Sequence, residues 1–266
     1  MLPTPSTSHV DFQRIYEPAE DSYLLLDTLS SNSEKEFLRS RFNSQNAQPA
    51  TTSSSPLVLE VGTGSGVILS FMHAHSEIIF GRSDIITVGI DVNSFACSAT
   101  GDTIAIAEKD QVARGLSHGF YLGNIAGDLT SALRPGEVDV LVFNPPYVPT
   151  PELPKLPQEG AARKTTYEDD SHLLEISYAG GSDGMETTDR LLDSLPSVLG
   201  KRGCAYVLLC AQNKPEKVKE QIKTWGNGWT AETVGSSGKK GGWEKLQIIR
   251  IWRGPRPLTE QENKMM

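Results

Sequence analysis

The residues with the most chemistry in their types and spacing are Leu141-Val142-Phe143-Asn144-Pro145-Pro146-Tyr147. An apolar run that ends in Asn-Pro-Pro-Tyr is hard to justify on structural grounds alone. The two prolines stiffen the turn and remove two N–H donors. Asn144 offers a side-chain carbonyl acceptor, and the main-chain carbonyl of Pro145 offers a second. Together they can take the hydrogens of one planar –NH2 group, and Tyr147 supplies a flat face for that group to stack on.

Three further segments surround it in the sequence. Leu59-Glu60-Val61-Gly62-Thr63-Gly64-Ser65-Gly66 follows an apolar run. Glycines there permit positive φ and close approach of a ligand to the backbone. The spacing is neither G-x-G-x-x-G nor a phosphate loop with Gly-Lys-Ser/Thr. Glu60, an acid just before the first glycine, would repel a pyrophosphate. It suits a ligand that carries positive charge, such as the amino group and sulfonium of S-adenosylmethionine. In Gly89-Ile90-Asp91-Val92-Asn93, Asp91 ends a second apolar run, where a carboxylate can accept from both hydroxyls of a ribose. Read singly, Asp91 serves equally well as a helix N-cap. Gly127-Asp128-Leu129 places an acid beside backbone N–H groups that could read an adenine edge.

These segments must be positioned by something. Leu57–Val61, Ile85–Ile90, Gly119–Leu122, Val138–Phe143 and Cys204–Cys210 read as strands, with helices from Gly66 to about His75, over 94–109, over about Met185–Leu199 and over 215–224. Strands alternating with helices predict a doubly wound α/β sheet. Residues 228–234 and 244–252 read as a closing strand pair, with Trp243 and Trp252 in the core. A helix starts near Asp21 or Ser22, either of which could cap it, and buries Leu25, Leu26 and Leu29. The polar tract 43–56 reads as a flexible insertion. Residues 149–183, including the acidic run Glu168-Asp169-Asp170, read as a long loop, and the tail 254–266 as frayed. The whole is expected to be one domain over 1–253.

Composition narrows the partners. The chain has 266 residues, with 25 Lys+Arg against 33 Asp+Glu, a net charge of −8. That disfavours a dedicated grip on a phosphate backbone. Three cysteines, Cys97, Cys204 and Cys210, are too few and scattered for a disulfide framework or a four-thiolate zinc site. The five histidines (9, 73, 75, 118 and 172) show no metal-ligand spacing, so no metal is expected. No apolar run approaches the ~18 residues of a membrane span, and the N-terminus lacks a secretory signal. An intracellular location follows as the expectation.

Glu60-x-Gly62-x-Gly64-x-Gly66, Asp91, Asp128 and Asn144-Pro145-Pro146-Tyr147, in this order, resemble the class I S-adenosylmethionine-dependent methyltransferases that modify planar nitrogens. Those are the adenine-N6 DNA enzymes and the HemK-like enzymes that methylate a glutamine in translation release factors. Tyr16-Glu17-Pro18-Ala19-Glu20-Asp21-Ser22 with Leu24-Leu25-Leu26, and Ala179-Gly180-Gly181-x-x-Gly184, resemble the short eukaryotic and archaeal HemK-like branch. The resemblance spans about residues 12–252. It implies a Rossmann-like seven-stranded sheet of order 3-2-1-4-5-7-6 with strand 7 antiparallel, and S-adenosyl-L-methionine as cofactor.

The resemblance also implies roles. Glu60 and Gly62 would sit at the methionine part of the cofactor, with Ser22 and the N-terminal segment closing over it; Gly64 would also contact the cofactor; Asp91 would hold the ribose, and Asp128 and Leu129 the adenine. Asn144, Pro145, Pro146 and Tyr147 would form the catalytic turn, with Asn144 also at the cofactor. The implied reaction is N5-methylation of the glutamine in the Gly-Gly-Gln loop of the class I release factor, in the cytoplasm, with presence in the nucleus left open. Adenine-N6 and protein-lysine methylation are the chemical alternatives, and a non-catalytic binding module is the alternative of another class. The implied partner is the small zinc-binding activator subunit of eukaryotic methyltransferases, docked at an edge strand near 119–122. No strong base is visible beside Asn144, so catalysis is expected to rest on positioning and electrostatics.

Overall fold

The computed structural model describes residues 2–42, 54–156, 166–238 and 245–254. Seven strands make one sheet: β1 (Leu57–Val61), β2 (Ile86–Asp91), β3 (Phe120–Ala126), β4 (Val138–Phe143), β5 (Leu199–Leu209), β6 (Trp229–Ser236) and β7 (Gln247–Arg253). Their order is β3-β2-β1-β4-β5-β7-β6. β1 pairs in parallel with β2 and β4, whereas β7 runs antiparallel to both β5 and β6. This is the expected order, with strand 7 reversed.

Side chains alternate across the sheet with a period of two. Val58, Val140, Val142, Cys204, Tyr206 and Leu208 face one apolar layer. Leu59, Val61, Leu141, Phe143, Ala205, Val207 and Leu209 face the other. The first layer is closed by α1 (Glu20–Leu29), α2 (Asn32–Phe42), α3 (Val67–Ala74), α4 (Ser76–Phe80) and, through Ile104, α5 (Ser94–Ala113). On the second, α7 (Glu186–Val198) contributes Leu191, Leu192 and Leu195, and α8 (Pro215–Thr224) contributes Val218 and Ile222.

Several expectations need correction. Neither Asp21 nor Ser22 caps α1: the N-cap position is Ala19, without a side-chain bond, and both residues lie inside the helix. Leu25, Leu26 and Leu29 are buried as expected. α2 was not expected, because only Phe37, Leu38 and Phe42 are apolar in it. β3 runs further than Gly119–Leu122, and β5 starts earlier than Cys204. Within the stretch read as a loop lies α6 (Tyr167–Tyr178), started by a capping box in which Thr166 and Asp169 bond reciprocally. The acidic run is therefore the first turn of α6 rather than a solvated loop, and Asp170 pairs with Arg14 at 3.3 Å. Most of the 43–56 tract, Trp243 and the tail after 254 lie outside the described residues. Among the described residues no helix is long and apolar enough to cross a membrane.

Candidate active site

A cavity of about 430 Å³ opens at the carboxyl ends of β1, β2 and β4, where open α/β sheets bind ligands. Ser22, Glu60, Gly62, Gly64, Asp91, Asp128, Leu129, Asn144, Pro145, Pro146 and Tyr147 all line it. Residues separated by up to 125 positions are thus brought to one place.

The glycine turn forms one wall. Gly62, Gly64 and Gly66 all have positive φ. Gly66 is the tightest: a Cβ there would lie 2.6 Å from Thr100 Cα. The turn therefore needs glycine for packing against α5 as well as for its backbone angle. Glu60 is buried at the end of β1, and its Oε2 accepts from the Leu69 N–H of α3 at 2.8 Å. Burial pushes its carboxyl well above the usual range, and the Leu69 bond only partly opposes this. Asp91 accepts from the N–H of Gly64 at 3.0 Å and of Asn93 at 2.8 Å, and burial raises it too. It is Asn93, not Asp91, that caps α5, by accepting from Phe95 N–H. The helix-cap alternative for Asp91 is thereby removed.

Two buried carboxylates with no ion-pair partner among the described residues suit a ligand that brings its own positive charge. The donor set fits S-adenosylmethionine on that ground. Asp128 differs from these two. It pairs with Arg190 of α7, so its charge is already answered. Leu129 takes a left-handed conformation, φ 51°, beside it.

The Asn-Pro-Pro-Tyr turn is held from behind by glycines. A Cβ on Gly180 would lie 2.5 Å from the Pro146 carbonyl oxygen, and one on Gly184, 2.1 Å from that of Tyr147. The Ala179-Gly180-Gly181-x-x-Gly184 segment is the floor under the turn. Val148 and Ala179 form a bridge, with Val148 N–H donating to Tyr178 and Gly180 N–H donating to Val148. Asn213 completes the clamp: its amide donates to the carbonyls of Tyr147, Asp183 and Gly184, and its Oδ1 accepts from Cys210 N–H. The sequence offered no signal for Asn213, which lies after β5 in a short polar turn.

Asn144 itself holds the least expected contact. Its amide nitrogen donates to Asp21 Oδ2 at 3.1 Å, and its Oδ1 is buried without a partner. A buried carboxylate therefore stands beside Asn144 where no strong base was visible in the sequence. Asp21 belongs to the Glu17-Pro18-Ala19-Glu20-Asp21-Ser22 signature, which was the available signal. Tyr147 is mostly buried and belongs to the apolar layer of α1 and α3 as well as to the cavity.

Away from the cavity, the fold brings His73, Glu108 and His118 within 4.8 Å of one another, which their spacing does not reveal. The two ring nitrogens of His73 already meet Thr87 Oγ1 and Glu108 Oε1, each at 3.0 Å, so this grouping is a satisfied hydrogen-bond relay. Burial lowers His73 to about 4.

No family model matches the chain. It is 33% identical to the eRF1 methyltransferase catalytic subunit mtq2 of Schizosaccharomyces pombe, over 95% of this chain and 96% of that protein. It is 32% identical to methyltransferase HEMK2 of Mus musculus, over 94% and 96%. Among solved structures, the Mtq2–Trm112 complex of E. cuniculi covers 91% of this chain and 99% of the matched one, at 23% identity and a TM-score of 0.51. That likeness is one of fold. Near-complete coverage of relatives at a third identity, with the expected strand order, shows that the chain belongs to the HEMK2/Mtq2 family of class I methyltransferases.

Proposed function

We propose that this methyltransferase transfers a methyl group from S-adenosyl-L-methionine to the side-chain nitrogen of the glutamine in the Gly-Gly-Gln loop of the class I translation release factor, in the cytoplasm. The observation that carries the reading is the unpartnered, buried Oδ1 of Asn144 beside a cavity lined by Glu60 and Asp91. A buried acceptor without a donor costs free energy, and an incoming –NH2 group supplies the donor. Relatives named for eRF1 and for N5-glutamine methylation support the same substrate.

Glu60, Gly62 and Gly64, with Ser22, are assigned to the methionine end of the cofactor, Asp91 to its ribose, and Asp128 and Leu129 to its adenine. The cofactor supplies an electrophilic methyl on a sulfonium. An amide nitrogen is a poor nucleophile because its lone pair is delocalised into the carbonyl. Asn144 Oδ1, with the Pro145 carbonyl, accepts the –NH2 hydrogens and aims the lone pair. Positive charge would grow on that nitrogen as the N–C bond forms and the C–S bond breaks to leave S-adenosylhomocysteine, and the nitrogen would then lose one hydrogen as a proton to solvent; fixed dipoles of this kind act more strongly on the transition state than on the ground state.

The edge strand β3 supports a partner. Phe120 and Leu122 are exposed on it, and Val112 and Leu116 are exposed at the adjacent end of α5 and the turn that follows. An uncovered apolar edge favours strand addition by another chain, and the small zinc-binding activator subunit is the partner proposed for it. The E. cuniculi complex, described with Trm112, is consistent with that assignment.

The test is co-expression with that subunit and labelled cofactor. Wild-type release factor should take label and a Gln→Ala change in its Gly-Gly-Gln loop should not. Asn144→Ala should lower turnover by ~10²–10³-fold while cofactor still binds. Label on an adenine or a lysine instead would replace glutamine as the acceptor.

A further inference from the structure

We infer that Asp21 is the positioning residue of the reaction: its carboxylate fixes which end of the Asn144 amide faces the substrate and polarises it. The inference rests on the reading that Asn144 Oδ1 accepts from the substrate nitrogen.

The two ends of an asparagine amide differ in one respect that matters here. One is a donor and the other an acceptor, and a half-turn about the last side-chain bond exchanges them. An asparagine left to itself beside a cavity would present either end. Presenting the nitrogen would set a donor against the –NH2 donors of the substrate. A carboxylate neighbour removes the choice, because an ionised carboxylate only accepts. With Asp21 Oδ2 at 3.1 Å from one end of the amide, that end has to be the –NH2 group. Oδ1 is then the end left over, buried and without a partner.

Asp21 is itself held. Its Oδ1 accepts from the Ser22 N–H at 2.6 Å and from the Ser22 hydroxyl at 3.2 Å. It is 3% exposed and has no ion-pair partner among the described residues. The carboxylate thus sits on the first turn of α1, where the helix dipole favours a negative charge. It is directed across 123 positions of sequence onto one side chain. Negative charge on the –NH2 side of an amide draws its hydrogens and shifts electron density toward its oxygen. Hydrogen bonds in series strengthen one another in this way. Asp21 therefore makes Asn144 Oδ1 a better acceptor without touching the substrate.

The test exchanges the roles of the two side chains. In Asp21→Asn the shape is kept and the charge is lost. Asn144 can then turn to accept from the new amide, which presents its nitrogen to the substrate. Turnover should fall by ~10²-fold, with KM moving far less and cofactor affinity within a few-fold of wild type. Asn144→Asp alone sets two carboxylates against each other and should be at least as slow. The double variant Asp21→Asn/Asn144→Asp restores a donor on α1 and an acceptor facing the substrate, and should recover at least tenfold over Asp21→Asn. A merely structural role predicts no such recovery.

Unchanged turnover in Asp21→Asn, or a double variant no faster than the slower single one, would overturn the inference. A readout independent of substrate runs beside it. The side-chain amide protons of Asn144, assigned by their disappearance in Asn144→Asp, should be protected from exchange in wild type and lose that protection in Asp21→Ala. If wild type leaves the release factor unlabelled, the glutamine reading fails while this exchange measurement still decides the role of Asp21. Unprotected protons in a folded wild-type protein would end it.

Discussion

Glu34 and Glu60 are buried to the same degree, 1% and 2% exposed, in one apolar layer's two neighbourhoods. Glu34, on α2, receives Arg250 of β7 at 2.6 and 2.7 Å and the Tyr206 hydroxyl at 2.8 Å. Arg250 also lies over the Phe37 ring at 3.7 Å. Its charge is answered from within the chain. Glu60, on β1, has one backbone N–H and no cation among the described residues. Equal burial with unequal compensation separates a carboxylate answered by a cation of its own chain from one that, on the proposed function, is answered by the cofactor.

The largest effect should come from breaking the compensated region. Arg250→Met would strand Glu34 in the interior, and removing one partner of a buried pair costs about 3–5 kcal/mol. Chemical denaturation should report that loss, while cofactor affinity of the folded fraction stays near wild type. A variant as stable as wild type would erase the contrast.

Glu60→Gln should behave in the opposite way. Its folded carboxyl is raised, so the folded state favours the protonated form, and ionisation weakens the fold as pH rises above about 4.5. Removing the charge should leave the cofactor-free protein as stable or more so. Cofactor affinity should fall by about 10–100-fold, the range expected for hydrogen bonds to a charged group. Calorimetry measures both. A destabilised variant with intact affinity would make Glu60 a second Glu34.

The smallest effect concerns His73, buried and neutral. Its folded value is lowered to about 4 from 6.5, so the unfolded chain binds the extra proton and stability falls as pH drops through that window. One proton gives a slope of at most about 1.4 kcal/mol per pH unit. Denaturant midpoints between pH 7 and 4.5 should show the slope in wild type and a flatter one in His73→Gln.

The same contrast explains what the residues disclosed in advance. Val138–Phe143 and Pro215–Thr224 match their reading residue for residue, because a six-residue stretch apolar at every position but Asp139 and a proline-started amphipathic helix each fit one template. The resemblance supplied the strand order. α2 was hidden because its buried Glu34 reads as a surface charge until Arg250, 216 positions away, is placed against it. α6 was hidden because no residue in it is buried. The cavity residues of the glycine turn and of Asn144–Tyr147 are local motifs and could be read directly. Asp21 and Asn213 act through long-range contacts made by single polar atoms, which leave no periodic trace.

The clamp on the Asn-Pro-Pro-Tyr turn has a consequence for biosynthesis. Asn144 waits on Asp21 near the start of the chain and on a Tyr147 carbonyl tied by Asn213. Its strand β4 also lies between β1 and β5. A nascent polypeptide that has left the ribosome only as far as its glycine turn, or even its Asn-Pro-Pro-Tyr segment, has the functional groups but not their arrangement. The arrangement is complete only once β5 and Asn213 have been made, so a product truncated before them would carry the motifs without their geometry.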